Sequence, residues 1–165
     1  MILRLSKCAL MLGLAFFFSL VVFNNTTDYN SNYQFVRHVF MMDSIYPTNR
    51  GMWRHIENPA LHTLFYLTII ATETLIALLY WWGSINLLRA RNASAAAFQQ
   101  AKTVGIAALT LSCLLWLVAF LSIGAEWFLM WQSKEWNGQE AAFRMFAVCA
   151  LVLVYLTAPE PETSR

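Results

Sequence analysis

Four residues on one stretch, His62, Tyr66, Glu73 and Tyr80, hold most of the chemistry that the side chains of this chain offer. Laid out at about 100° per residue, they share one helical face with Ile69 and Ala77, within roughly 80°. The stretch that carries them, Leu61 to Trp82, is almost wholly apolar and long enough to cross a bilayer, for which about 20 such residues suffice. A charge in the middle of a span costs roughly 2.5–3.5 kcal/mol on insertion scales. Glu73 is therefore expected to turn towards other helices or water, or to be neutral. Two readings fit this polar face. One is a proton path or polar ligand pocket, and the other is a buried hydrogen-bond network with its carboxyl kept neutral by desolvation. With no second acid, base or lysine at the depth of Glu73, the network is the expected one.

Two further sets are weaker. Glu126 and Arg144 fall near the same ends of neighbouring apolar stretches, and Glu140 lies four residues before Arg144 on one predicted helix. The three suggest an ion-pair clamp, with the arginine bridging two carboxylates. His38, His55 and His62 fall on one side of the predicted membrane, near Met41, Met42 and Met52. Imidazole and thioether would suit copper or haem iron, which makes these histidines weak candidates for a metal or haem site. None shares the HxH or HxxxH spacing that fixes two ligands on one element, so no cofactor is expected. There is no Walker motif, Ser-His-Asp set, paired acids or glycine-rich loop, and nothing here argues for an enzyme.

Composition says what must position these residues. Of 165 residues, 59% are hydrophobic and only 12% charged, against about a quarter charged in soluble domains. Mean hydropathy is +0.51. A net charge of +2, carried by scattered basic residues, gives no nucleic-acid footprint. Cys8, Cys113 and Cys149 each sit inside an apolar run and read as packing, not as a disulfide or redox relay.

Four spans are predicted, at about 5–23, 61–82, 104–128 and 141–156, in a single membrane domain over 1–158. The first reads as an uncleaved anchor, because Val22 to Thr27 lacks a small-x-small cleavage pattern. Its exit carries formal glycosylation sequons at Asn24 and Asn25, which abut the membrane and carry no weight. In the loop 24–60, Tyr33, Val36, Val39 and Phe40 recur at helical spacing and predict an interfacial helix. Met52 to Ile56 suggests one more turn, and Asn58-Pro59 opens the second span. Trp81-Trp82-Gly83 ends it, leaving a loop 83–103 with Arg89, Arg91 and Lys102 and no acid. That loop is expected in the cytoplasm, with both termini. On the third span, Gly105, Ala108, Ser112, Ala119 and Ser122 form a small-residue helix-packing stripe, which Ala101 and Glu126 extend. Asn137 and Glu140 resemble a capping box, and 159–165 reads as a disordered tail.

The runs FFFSLVVFNNTTDYNSNYQFVRHVFMMD, MWRHIENPALHTLFYLTIIATE and GAEWFLMWQSKEWNGQEAAFR resemble a bacterial family of small integral membrane proteins with four spans and no assigned function. The resemblance covers nearly the whole chain, and WNGQEAAFR is its most specific part. It implies a Gram-negative inner (plasma) membrane, with the loop 24–60 in the periplasm, and implies no catalytic residue.

The fold expected is thus an all-α, antiparallel four-transmembrane-helix bundle, capped by a structured first periplasmic loop with short interfacial helices. The leading functional expectation is a non-catalytic accessory or assembly subunit on a larger membrane complex, respiratory or dehydrogenase in kind. Its partners would be the lipid bilayer and a membrane protein or a second copy, not nucleic acid. The alternative is a small-molecule or proton pathway, or a lipid- or quinone-binding site, on the His62–Tyr66–Glu73–Tyr80 face. A periplasm-facing metal or haem site is third.

Overall fold

A computed structural model describes residues 1–160. Helix α1 (Ile2–Thr27) is followed, after a bend at Asp28, by the amphipathic α2 (Tyr29–Met41). Then come a 3-10 turn at Met52–Arg54, the long α3 (Pro59–Ala90), the short α4 (Ala95–Ala101) and α5 (Thr103–Leu114). Helix α5 continues as π-helical turns over Leu115–Trp127. A 3-10 turn at Met130–Gln132 leads to α6 (Gln139–Thr157). The described residues contain no strand. Four helical segments, Ile2–Thr27, Pro59–Ala90, Ala95–Trp127 and Gln139–Thr157, are long and apolar enough to cross a membrane.

Local chemistry sets the helix ends. The Asn58 side chain accepts a hydrogen bond from Ala60 N at 2.9 Å with Pro59 at the first helical position, so α3 starts where a donor-poor cap is satisfied. Ser94 caps α4 through Ala97 N. Before α6 it is Asn137 Oδ1, accepting from Gln139 N at 3.0 Å, that takes up a free amide. The Glu140 half of the expected capping box is not used, and Gly138 is the N-cap.

The spanning helices alternate in direction. Arg4, at the start of α1, donates to Arg91 O and Ala93 O beyond the end of α3, so α1 and α3 run antiparallel. The start of α1 and the residues just past α6 meet at that same terminal end of the bundle, where Lys7 contacts Glu160. At the opposite, cap end, α2 folds back onto α3. One core fills the bundle around Met11, Phe18, Ile76, Tyr80, Leu87 and Leu109, and a second fills the cap around Val36, Val39, Phe40, Met42, Tyr66, Phe128 and Met130. The outward faces keep Phe16, Leu78, Trp82, Leu151 and Val154 more than half exposed, a surface that only a bilayer would cover.

Three differences from the expected layout have physical causes. Helix α3 does not stop at Gly83 but runs on to Ala90, so with α4 most of the loop 83–103 is helix. Gly83 is instead where α5 crosses: a Cβ there would lie 2.9 Å from Gly105 N. The small-residue stripe is continuous only through Gly105, Ala108 and Ser112, all buried. Beyond Leu114 the hydrogen bonds reach five residues back, as in Phe128 N to Ile123 O at 3.0 Å. Each residue then turns by less than in an α-helix. A stripe laid out at 100° therefore rotates out: Ala119 is half-buried, Ser122 and Glu126 are exposed, and Trp116, Gly124 and Ala125 take the inner side. Finally, of the tail read as disordered, Glu160 is held with its side chain 2% exposed, while 161–165 lie outside the described residues.

Candidate functional site

Helix α3 is 32 residues long, about 48 Å at about 1.5 Å per residue. That exceeds a hydrocarbon core of about 30 Å. The four polar residues of its predicted face are all buried, but they do not form one ladder. His62 Nε2 donates to Ile56 O at 2.8 Å and its ring stacks on Phe40, inside the cap. Tyr66 donates to Asn25 O at 3.1 Å. Asn25 Nδ2 donates to Glu73 Oε2 at 2.6 Å, and Asn25 Oδ1 accepts from Asn32 at 2.8 Å. Asn25 lies in the last turn of α1, so Glu73 sits near the cap end of the bundle and not at its middle. Two turns further on, Tyr80 donates to Ser112 Oγ at 2.9 Å, which donates to Ala108 O. Between Glu73 and Tyr80 the face holds only Ile76 and Ala77, packed apolar side chains. Hydrogen bonds connect Glu73 to the cap and leave Tyr80 in a separate pair.

That pair supports a modest prediction. Tyr80→Phe removes one buried hydroxyl while Ser112 keeps its bond to Ala108. A loss of about 0.5–1.5 kcal/mol is expected, visible as a small drop in the thermal unfolding midpoint in detergent.

Around Glu73 the helices do not close. Helix α5 packs on α3 as far as Leu114, after which the π-helical turns pack on α6 and leave α3. The gap is roofed by α2 and holds two adjacent spaces. One is a chamber of about 260 Å³ lined by Asn25, Asn32, Tyr66, Glu73, Trp116 and Phe120, among others. The other is a slot of about 270 Å³ walled almost entirely by carbon, between Val39 and Phe40 of α2, Phe65 and Thr72 of α3, and Ala119 and Ile123. Phe35, Val36, Ile69 and Phe120 line both. Within the chamber, no hydrogen bond among the described residues occupies Glu73 Oε1.

The other sets are dispersed. His38 pairs with Asp43 at 2.7 Å and stacks on Trp136, His55 lies 3.3 Å from Glu57, and His62 is held by Ile56. Each imidazole has its own partner, and the fold does not gather the three. The expected clamp does not form either: Glu126, Glu140 and Arg144 are all exposed, and no ion pair joins any two of them. The π-helical register turns Glu126 outward, and Arg54 reaches its backbone carbonyl instead of its carboxylate. The residues that sequence reasoning missed are Asn25, Asn32, Trp116 and Glu160. Asn25 had one usable signal, an amide at the end of an apolar helix whose only membrane-depth partner was Glu73.

Fold and site together define a small, all-helical, four-span integral membrane protein. The chain belongs to the family described as "Predicted small integral membrane protein (DUF2165)", which matches residues 3–159. No curated protein and no solved structure matches it.

Proposed function

We propose that this protein binds a lipid-soluble small molecule in the chamber beside Glu73. One observation carries the reading: a buried carboxyl with one free oxygen lines a cavity that shares four lining residues with an apolar slot between membrane helices. Ligand sites combine such apolar walls with a few placed polar groups. A π-helical segment beside the cavity fits this, since such turns are frequent at functional sites. We read the site as binding and not catalytic, because the chamber offers one carboxyl with no base or nucleophile beside it. A transmembrane proton path is disfavoured, because the polar face breaks between Glu73 and Tyr80.

The accessory-subunit reading comes second. The first half of the small-residue stripe, Gly105 to Ser112, is used inside the bundle, with Gly105 packed under Met11 and Leu156. What favours it still is the aromatic rim of the cap, where Trp53 is 74% exposed and packs edge-on against Trp127. Such a rim also serves as an interfacial belt. For orientation, Arg4, Lys7, Arg89, Arg91 and Lys102 all lie towards the terminal end. The cap side also carries Arg37, Arg50 and Arg54, but the loop 83–103 has no acid, which favours an inner-membrane protein with both termini cytoplasmic.

Organic extraction of the protein purified in a mild uncharged detergent, followed by mass spectrometry, tests the binding reading. A co-purifying amphiphile near one per chain is expected from the wild type, and a several-fold loss from Ala141→Leu, which narrows the chamber at its rim. No bound molecule, but a stoichiometric larger complex, would move the assignment to an accessory subunit.

A further inference from the structure

The geometry points to a ligand with a cationic, ammonium-type head held in the Glu73 chamber and an apolar chain laid in the adjoining slot. This rests on the binding reading and names its ligand class. Among the residues lining the chamber there is one acid, Glu73, and no lysine, arginine or histidine. An ionised carboxylate in such surroundings needs a counter-charge, and the lining does not provide one. Four aromatic rings face the same space: Phe35, Tyr66, Trp116 and Phe120. Trp116 and Phe120 have centroids 4.8 Å apart at a tilt of 39°, and Tyr29 packs edge-on against Tyr66. Aromatic faces next to a carboxylate are the standard means of holding an alkylated ammonium, which gains from ring quadrupoles within about 6 Å of a centroid.

The remaining polar groups agree. Asn25 donates only to Oε2 and is itself fixed by Asn32, so the carboxylate is oriented and Oε1 is left over. The slot shares four residues with the chamber and has almost no polar surface, which suits a chain and not a second head. A single-chain amine and the ethanolamine head of a phospholipid share this chemistry.

Titration calorimetry in dodecylmaltoside micelles tests the assignment with three ten-carbon probes: decyltrimethylammonium, decanol and decyl sulfate. The wild type is expected to bind the cation at least tenfold more tightly than the alcohol and not to bind the sulfate. Glu73→Gln is expected to remove that preference, and Glu73→Asp to keep it should the glutamine variant fail to fold. Decanol bound as tightly as the cation by the wild type, or a cation preference that survives Glu73→Gln, would overturn the cationic assignment and leave the binding site standing. No saturable binding of any probe would overturn both. Competition by dihexanoyl phosphatidylethanolamine, and none by dihexanoyl phosphatidylglycerol, would assign the head to a phospholipid. Binding of decyltrimethylammonium without such competition would assign it to a free amine.

Discussion

Glu160→Gln is expected to destabilise this protein by about 3–5 kcal/mol, the range for removing one partner of a buried ion pair. Glu160 lies just past the end of α6, and its carboxylate takes Lys7 Nζ at 2.5 Å and Lys102 Nζ at 2.7 Å, with Arg4 Nε at 3.6 Å. The side chains of Lys7, Lys102 and Glu160 are 4%, 0% and 2% exposed, so these contacts are largely shielded from direct contact with water. Both ammonium groups also donate to Ala158 O, which ties α1, the α4–α5 joint and the end of α6 into one node. Glutamine keeps the shape but removes the only carboxylate at that node among the described residues, leaving three cations without a counter-charge. An exposed pair would be worth about 0–1 kcal/mol, so the size of the loss itself reports the burial.

The same node gives a pH dependence. Burial works to raise the Glu160 carboxyl, but the hydrogen bonds and charges of Lys102 and Lys7 outweigh it and hold the group below the ordinary carboxylate range. The unfolded chain binds that proton more readily than the native one, so stability from this group is complete above the ordinary carboxylate value. It drains away as pH falls through the depressed native value. Unfolding midpoints in detergent between pH 7 and pH 3 check both points. The wild type should lose stability on acidification and Glu160→Gln should lose less, converging on the wild type at the acid end. Parallel curves would show that Glu160 is not the titrating group.

Much of the bundle was legible because a bilayer imposes simple rules. Four long apolar runs, with an acid-free basic loop between the second and third, leave few architectures, and the Tyr33–Phe40 periodicity marked α2. The site was legible only in part. Glu73 stands out in any reading, since a carboxylate within an apolar run demands a partner. Which partner depends on how far α1 extends, and the apolar run predicts only that α1 reaches about Phe23. The chamber itself left no trace in the sequence, because nothing in Leu115–Trp127 distinguishes π from α hydrogen bonding by composition. The failed Glu126–Arg144 clamp and the late half of the small-residue stripe are consequences of that one change of register. Glu160 was misread for the opposite reason. A carboxylate between two prolines at a chain end has the look of solvent, and its three cations lie far away in sequence.

Gly83→Ile is expected to prevent assembly of the bundle, and Gly83→Ala to cost about 1–3 kcal/mol, the range for overpacking. Close crossing of membrane helices relies on small residues, because apolar side chains gain nothing by leaving lipid for another helix. At the α3–α5 crossing the atoms facing Gly83 are backbone: a Cβ there would stand 2.9 Å from Gly105 N and 3.0 Å from Gly105 Cα. Backbone cannot rotate aside, so even a methyl group must push the helices apart. The partner glycine should be more forgiving. A Cβ on Gly105 meets Met11 Cε at 2.9 Å and Leu156 Cδ2 at 3.2 Å, and a methionine tip moves at little cost. Gly13, with nothing within 4 Å of an added Cβ, supplies the control. There alanine should be neutral or stabilise by up to about 1 kcal/mol through helix propensity alone. The order expected in thermal midpoints is therefore Gly13→Ala at or above wild type, then Gly105→Ala, then Gly83→Ala. Equal losses at Gly83 and Gly105 would mean that the two backbones do not touch. Because the same crossing sets where α5 leaves α3 and the chamber begins, Gly83→Ala should also weaken decyltrimethylammonium binding, at a position that lines neither the chamber nor the slot.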